Sequence, residues 1–332
     1  MPAIFLTHTP DMLANYYGPR ALADLRKLGD VRLNPADQVL DARALVKAAG
    51  DCAIIVSDRQ TAGPAEFFAA APDTLVAFLR VAVDIRNIDV PAASAKGILV
   101  THATPGFVAS VAELAIGFMV DCGRYVTQAA LEYRAGKDAE PRMGRQLKGS
   151  TVGIIGYGVI GEYLSTLCVA LGMTVLVSDP FKKVAAPGVK QVELAALLAQ
   201  SDFVICLAIA NEQTENLINA AAFASMKPSA YFINMSRGNL VDEAALAAAL
   251  DAKRIAGAAM DVGRAPDQKP SLSLAARADV IATPHIAGLT PDAAEHQAFD
   301  TVNQVKELLA GRMPPGAANA EAASRLRLLK RA

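Results

Sequence analysis

The chain predicts an α/β protein of two lobes, each a mostly parallel sheet with helices on both faces. Three observations carry this. Short, β-branched apolar runs alternate with Ala/Leu-rich stretches of helical length. The runs are continuous rather than alternating apolar and polar, the mark of strands buried on both faces. They fall into two sets, roughly 1–100 and 150–285, in a chain of 332 residues, longer than one usual domain.

The first set holds "AIFLT" (3–7), "AIIVS" (53–57) and "LVAFL" (75–79). "SVAELAIGFMVDCGRYVTQAALEYRAG" (110–136) follows, with few breakers, and reads as one long helix. The second set runs through "TVGIIG" (151–156), "TVLVSD" (174–179), "FVICLAI" (203–209), "YFINMS" (231–236), "IAGAAMDV" (255–262) and "VIATP" (280–284). Helical stretches lie between, such as "GEYLSTLCVALG" (161–172) and "DEAALAAALDAKR" (242–254). "DAAEHQAFDTVNQVKELLAG" (292–311) follows the last strand until Pro314, Pro315 and Gly316 break it; "AASRLRLLKRA" (322–332) suits a short terminal helix. The two long helices flank the second set and can carry the chain between lobes.

Composition narrows the function classes. Apolar residues make up 53% and charged residues 20%, enough for sizeable cores. A net charge of −1 gives no electrostatic case for nucleic acid or an anionic membrane as partner. The opening "MPAIFLTHTPDML" shows no basic n-region with a long apolar h-region, and no uninterrupted apolar run reaches the roughly 18 residues of a membrane span. Cys52, Cys122, Cys168 and Cys206 form no C-x-x-C pair and sit in apolar company. They read as buried free thiols of a reducing compartment, so a cytoplasmic protein without a metal site is expected.

"GIIGYGVIGEYL" contains G-x-G-x-x-G at Gly156, Gly158 and Gly161. The pattern alone is weak. Here it follows an apolar strand, opens a helix, and is followed 18 residues after Gly161 by Asp179 at the end of the next strand. That context makes it a dinucleotide fingerprint. The glycines permit a tight turn, close approach of backbone to a pyrophosphate, and close helix–strand packing. The helix N-terminus offers free N–H groups to the phosphates. Asp179 suits a ribose diol and repels a 2′-phosphate, which favours NAD over NADP. Lys182 and Lys183 just beyond soften that preference.

Three polar residues then close successive strands. Arg237 follows "INMS", Asp261 comes 24 residues later in "AAMDVG", and His285 another 24 later in "IATPHIAG". A lone histidine in apolar company is most often a core residue. Three strand-end residues behind a dinucleotide fold should instead converge on the crevice where open α/β sheets bind ligands. Arginine grips a carboxylate with two parallel hydrogen bonds. Histidine moves a proton near neutral pH, and a carboxylate beside it sets its tautomer.

With "RNID" (86–89), "TPGFVASVAELA" (104–115), "LKGSTVGIIGYGVIG" (147–161), "SRGNLVDEAAL" (236–246), "MDV" (260–262) and "TPHIAGLT" (283–290) in this order, the chain resembles the D-2-hydroxyacid dehydrogenases along nearly its whole length. The resemblance implies a Rossmann NAD lobe (102–288) inserted into a flavodoxin-like substrate lobe (1–101 and 289–332), and a homodimer. It implies NAD as cofactor and a small 2-hydroxy or 2-oxo acid as substrate. By the same resemblance Arg237 matches the substrate arginine and His285 the acid/base. Asp261 matches an aspartate near the nicotinamide. Val159 and Ile160 match backbone contacts to the pyrophosphate, and Met235, Ser236, Ala287 and Gly288 lie where the family approaches the cofactor.

Two stretches depart from the family pattern. The family continues D-V-F-x-x-E-P after the aspartate, and its glutamate pairs with the histidine. Here the text is "DVGRAPDQKP", with no glutamate between Asp261 and His285. Asp279 precedes the last strand, at its wrong end, which leaves Asp267 as the candidate partner. The competing reading has Asp267 in solvent and His285 oriented by a backbone carbonyl. The missing glutamate also sustains a second functional class, an NAD(H)-sensing binding or corepressor-like protein with little turnover. The other departure is Asp84 in "RVAVDIRNID", where the family often has glycine in a turn whose N–H groups meet the substrate carboxylate. Val83 and Asp84 still offer those donors. A carboxylate aimed inward would repel an acidic substrate, so Asp84 is expected to point to solvent, with Arg80 and Arg86 available to offset its charge.

Overall fold

The structure is a computed structural model that describes residues 1–331; the side chains of Asp267, Lys330 and Arg331 lie outside the described residues. Two all-parallel sheets form. Five strands, β1 (Ala3–Leu6), β2 (Asp30–Leu33), β3 (Ile54–Ser57), β4 (Ala77–Arg80) and β5 (Leu99–Thr101), lie in the order β2-β1-β3-β4-β5. Seven more, β6 (Thr151–Ile155), β7 (Thr174–Ser178), β8 (Val189–Gln191), β9 (Phe203–Cys206), β10 (Tyr231–Asn234), β11 (Gly257–Met260) and β12 (Val280–Ala282), lie in the order β12-β11-β10-β9-β6-β7-β8. Both lobes are therefore parallel α/β units, as the run pattern predicts. The chain divides into one unit of Met1–Phe107 with Leu289–Ala332 and another of Val108–Gly288.

In the first unit the strands alternate between two cores. Ile4, Leu6, Ile54, Val56 and Leu79 face one side, against Ala298, Val302 and Val305 of the helix Pro291–Leu309. Phe5, Ile55, Phe78 and Val100 face the other, against Leu45, Phe67 and Phe68. Burying a side chain of this size stabilises by roughly 1.5–3 kcal/mol. The C-terminal helix thus belongs to the same core as the first strands. Thr290 caps its N-terminus by accepting from Ala293 N at 3.3 Å.

The single helix expected over 110–136 is two, Val108–Arg124 and Val126–Arg134. Tyr125 adopts left-handed φ/ψ between them, and Asp121 accepts from Thr127 N at 2.7 Å, restarting the helix in a new direction. The terminal segment Ser324–Arg331 is a 3-10 helix. Among the described residues no helix is long and apolar enough to cross a membrane, and no cluster of three or more His, Cys, Asp or Glu is placed to hold a metal. All four cysteines are buried and free, and burial pushes the Cys122, Cys168 and Cys206 thiols up to about 12.

One buried group in the first unit carries a pH prediction. His8, just past β1, is 2% exposed, and neither ring nitrogen finds a hydrogen-bond partner among the described residues. Its ring meets Tyr17 edge-on at 5.1 Å. Burial, aided by the nearby Arg80 and opposed by Asp58, lowers its pKa to about 4. The unfolded chain protonates this histidine below about 6.5 while the folded one resists. Stability is therefore lost as pH falls from 6.5 towards 4, by about 2–3 kcal/mol at pH 4.5. Urea unfolding of His8→Phe should show a correspondingly smaller difference between pH 7 and pH 4.5 than the parent protein. An identical difference would mean that His8 is not neutral in the fold.

Candidate active site

In the second unit the chain leaves β6 for β7 on one side and returns through β9 on the other, so the glycine turn after β6 lies at the switch in strand order. Gly156 has φ +95°, and a Cβ there would lie 2.7 Å from Leu207 O, just past β9. A Cβ on Gly161 would lie 2.5 Å from Gly156 O, while Gly158 faces open space. The turn is therefore open at Gly158, the position the fingerprint keeps bare for the approach of a pyrophosphate. The helix Val159–Ala170 begins with no side-chain cap, so its first N–H groups are left for a ligand. Val159 and Ile160 form that first turn.

Asp179 does more than the sequence predicts. Its Oδ2 accepts from Tyr157 N at 2.7 Å, and its Oδ1 from Phe181 N at 2.8 Å and Lys182 N at 2.9 Å. Burial acts to raise its pKa, but these donors outweigh it and hold the carboxyl below its usual range. A carboxylate has about four lone-pair sites, so one remains for a ribose hydroxyl. Lys182 turns aside: its Nζ meets Glu162 Oε2 at 3.0 Å and lies 5.3 Å from the Tyr157 ring centre. Two large apolar side chains stand exposed past the neighbouring strands, Phe181 after β7 (86%) and Ile209 after β9 (79%). Sequence reasoning passed over both. Their signal was an apolar residue just beyond a strand that already ends in a ligand-binding turn.

Strands β10, β11 and β12 are adjacent and in register, with Asn234 opposite Met260 and Met260 opposite Ala282. The structure thus brings Arg237, Asp261 and His285 to one edge of the sheet. Asn234, fully buried, clamps the first of these turns. Its Nδ2 donates to Arg237 O at 3.0 Å, and its Oδ1 accepts from Ser236 N at 3.2 Å. Met235 is buried, Ser236 Oγ donates to Ala208 O at 2.6 Å, and the half-buried Arg237 donates through Nη1 to Ser236 O at 2.7 Å.

Asp261 is 1% exposed, and its oxygens hold the turn that carries His285. Oδ1 accepts from Thr283 Oγ1 at 2.6 Å and from Ile286 N at 2.8 Å; Oδ2 accepts from Ala287 N at 2.9 Å. His285 itself sits at φ +60°, a left-handed conformation uncommon outside glycine, with its N–H on Thr283 O at 3.0 Å. The bonds from its neighbours to Asp261 fix that conformation and aim the half-buried ring. Ala287 is buried and Gly288 exposed at the end of the turn.

Asp267 lies in the single 3-10 turn Pro266–Gln268, and its side chain is outside the described residues. Asp279, set aside for lying at the wrong end of β12, is forked by Arg277 at 2.8 and 2.9 Å. Val83 and Asp84 belong to the first unit. Asp84 is exposed, and Arg86 forks it, with Nε at 3.0 and 2.9 Å and Nη2 at 2.6 Å from its oxygens. Arg80 is fully buried, donating to Ser57 Oγ, Asp58 O, Thr61 O and Asn87 Oδ1.

A glycine-turn cradle and a strand-end arginine, aspartate and histidine on one parallel sheet are the architecture of a dinucleotide-binding α/β protein. The comparisons with known proteins agree with that class. The model of "D-isomer specific 2-hydroxyacid dehydrogenase, NAD binding domain" matches residues 116–287. The chain is 35% identical to the (S)-sulfolactate dehydrogenase of Chromohalobacter salexigens, over 91% of this chain and 98% of that one. It is 34% identical to the D-3-phosphoglycerate dehydrogenase of a Synechocystis species, over 72% of this chain and 44% of that one. It thus spans about half the length of such phosphoglycerate dehydrogenases. A crystal structure of a D-isomer specific 2-hydroxyacid dehydrogenase from a Polaromonas species shares its fold, with TM-score 0.85 at 23% identity, covering 96% of this chain and 99% of that one. The chain belongs to the D-isomer specific 2-hydroxyacid dehydrogenase family.

Proposed function

We propose that this protein is an NAD(H)-dependent oxidoreductase interconverting a small D-2-hydroxy acid and its 2-oxo acid. The observation that carries the reading is the presentation of Arg237 and His285 at one sheet edge, in the same unit as the glycine-turn cradle. The bound nicotinamide supplies the hydride for reduction and takes it back in oxidation. His285 gives a proton to the carbonyl oxygen during reduction and accepts it from the hydroxyl during oxidation. Arg237 binds the substrate carboxylate and stabilises the charge that develops on the reacting oxygen. Asp267 orients His285. Asp261, near the nicotinamide end by family resemblance, keeps the His285 turn in place. By the family resemblance the N–H groups of Val83 and Asp84 are further donors for a substrate carboxylate, and within the first unit Arg86 neutralises the Asp84 side chain.

For the cofactor, the first turn of Val159–Ala170 meets the pyrophosphate and Asp179 the adenosine ribose. Phe181 and Ile209 offer apolar surface to the adenine. Met235, Ser236, Ala287 and Gly288 border the nicotinamide half. The carboxylate of Asp179 and the engagement of Lys182 by Glu162 both favour NAD over NADP. The four buried thiols fit a reducing cytoplasm, and the family resemblance implies a homodimer.

The decisive experiment is a substrate panel read at the NADH absorbance band. Glyoxylate, hydroxypyruvate, pyruvate and phenylpyruvate are offered with NADH or NADPH. D-3-phosphoglycerate and (S)-sulfolactate, the acids of the two named relatives, are offered with NAD. At least one acid should turn over, with NADH preferred to NADPH by at least about tenfold in kcat/KM, because a carboxylate opposes the 2′-phosphate. Tight NADH binding with no turnover of any acid would replace this reading with that of a binding protein.

A further inference from the structure

The loop that departs from the family's D-V-F-x-x-E-P is tied down by one side chain that neither the sequence reading nor the resemblance singles out. Arg264 donates through Nη2 to Glu215 Oε1 at 2.8 Å, Asn216 Oδ1 at 2.6 Å and Asn239 O at 3.0 Å, and through Nε to Val241 O at 3.1 Å. Its backbone N–H donates to Glu243 Oε1 at 2.9 Å. These acceptors come from three places: the end of the loop after β9, the segment just past Arg237, and the first turn of the helix Glu243–Asp251. The acceptors are linked among themselves, since Glu215 Oε2 accepts from Asn239 Nδ2 at 3.0 Å and Asn216 N donates to Asn239 O at 2.9 Å.

The loop beyond Arg264 is closed on itself. Gly263 N donates to Gln268 O at 2.8 Å and Ala265 N to Lys269 O at 3.0 Å. Whatever fixes Arg264 therefore fixes the Pro266–Gln268 turn that carries Asp267. The base of this loop also touches the neighbour of Arg237. A Cβ added to Gly238 would collide with the Gly263 carbonyl, so the two backbones pass in direct contact. A Cβ added to Gly263 itself would lie 2.5 Å from Pro270 Cα and 2.7 Å from Lys269 O, so the closed loop has no room for the family's phenylalanine there, and Arg264 then locks the loop in place.

We propose that Arg264 is a positioning residue, which holds the loops after β10 and β11 as one piece and so fixes the spacing between Arg237 and the turn bearing Asp267. The inference rests on the function proposed above. Arg264 acts through the two loops and is not itself catalytic. Only a planar guanidinium can meet acceptors in several directions at fixed angles; lysine keeps the charge and loses the fork. Its ion pair with Glu215 is part-exposed, 37% and 43% at the two side chains, so solvent screens it and global stability depends little on it.

The test compares Arg264→Met and Arg264→Lys with the parent protein, using the acid that turns over best. Arg264→Met should lower kcat by about 10- to 100-fold, the scale of a misplacement of about 1 Å. The NADH dissociation constant should stay within about twofold and Tm within about 4 °C, as for a loss confined to one loop. Arg264→Lys should fall between. Exchange of the Gly263 and Ala265 amides, followed by NMR, should speed up at least about tenfold in Arg264→Met as the loop opens locally. Unchanged kcat or unchanged exchange overturns the proposal, and so does a joint fall of kcat, NADH affinity and Tm. If the parent protein turns over no acid, the functional reading fails, and amide exchange alone decides whether Arg264 clamps the loops.

Discussion

His285→Asn should lower kcat by about 10²–10⁴, the usual worth of a positioned general acid, while NADH affinity changes little. Asparagine is the replacement that isolates the chemistry. The backbone at 285 is left-handed, a conformation asparagine tolerates better than most residues and alanine or glutamine tolerate poorly. The hydrogen bonds that tie the turn to Asp261 come from Thr283, Ile286 and Ala287, so they survive the substitution. What is lost is the imidazole, the one group in the turn able to exchange a proton near neutral pH. The measurement is steady-state kinetics beside NADH fluorescence titration. A kcat within about fivefold of the parent protein would remove His285 from proton transfer. The function would then need another acid at the strand ends.

The fold was legible where strands are buried on both faces. Runs such as "FVICLAI" and "YFINMS", short, apolar and spaced between helical stretches, read as interior strands, and β9 and β10 are there. The strands that escaped are short or peripheral. β2, "DVRL", and β8, "VKQ", are sheet edges with exposed or half-exposed residues, so nothing forces them to be apolar. β5 has only three residues, too few to show a period. The helix break at Tyr125 was hidden for another reason. Gly123 stands two residues before it yet stays inside the first helix, and a left-handed tyrosine beside an Asp121 cap shows only in the backbone.

Within the site, the strand-end residues were legible because parallel topology sends every carboxyl end to the same edge. Their local partners were not. That Asp261 faces the backbone of 286 and 287 depends on strand register, which spacing alone does not give. That Asp179 is shared among three amides depends on how the turn after β7 folds back. The Arg264 cluster joins residues far apart in sequence and follows no motif. Loop chemistry of this kind is set by which backbones meet, and two glycines decide it here, Gly238 against the Gly263 carbonyl and Gly263 against Pro270.

Asp261→Asn should cost more stability than any other single change at the sheet edge, and turnover with it. The native carboxylate has only acceptors, and it faces three donors. An amide of the same shape keeps one acceptor oxygen and turns an NH₂ towards either Ala287 N–H or the pair formed by Thr283 Oγ1 and Ile286 N–H. In the less costly orientation the carbonyl keeps Thr283 and Ile286, and a donor confronts the Ala287 N–H. A buried N–H left unpaired costs about 1–3 kcal/mol, and the charge-assisted share of the other two bonds goes as well, so a loss of about 2–4 kcal/mol is expected. The turn relaxes away from the left-handed conformation at His285, and the imidazole loses its aim. A displacement of about 1 Å at the reacting group is enough to lower kcat by about 10². Thr283→Val removes one donor and leaves the other two bonds intact, so it should cost about 1 kcal/mol and spare most of the turnover. Urea unfolding and kcat, measured on both variants, read this order directly. If Asp261→Asn keeps full turnover, the carboxylate does not hold His285 in place, and its buried position serves the sheet alone.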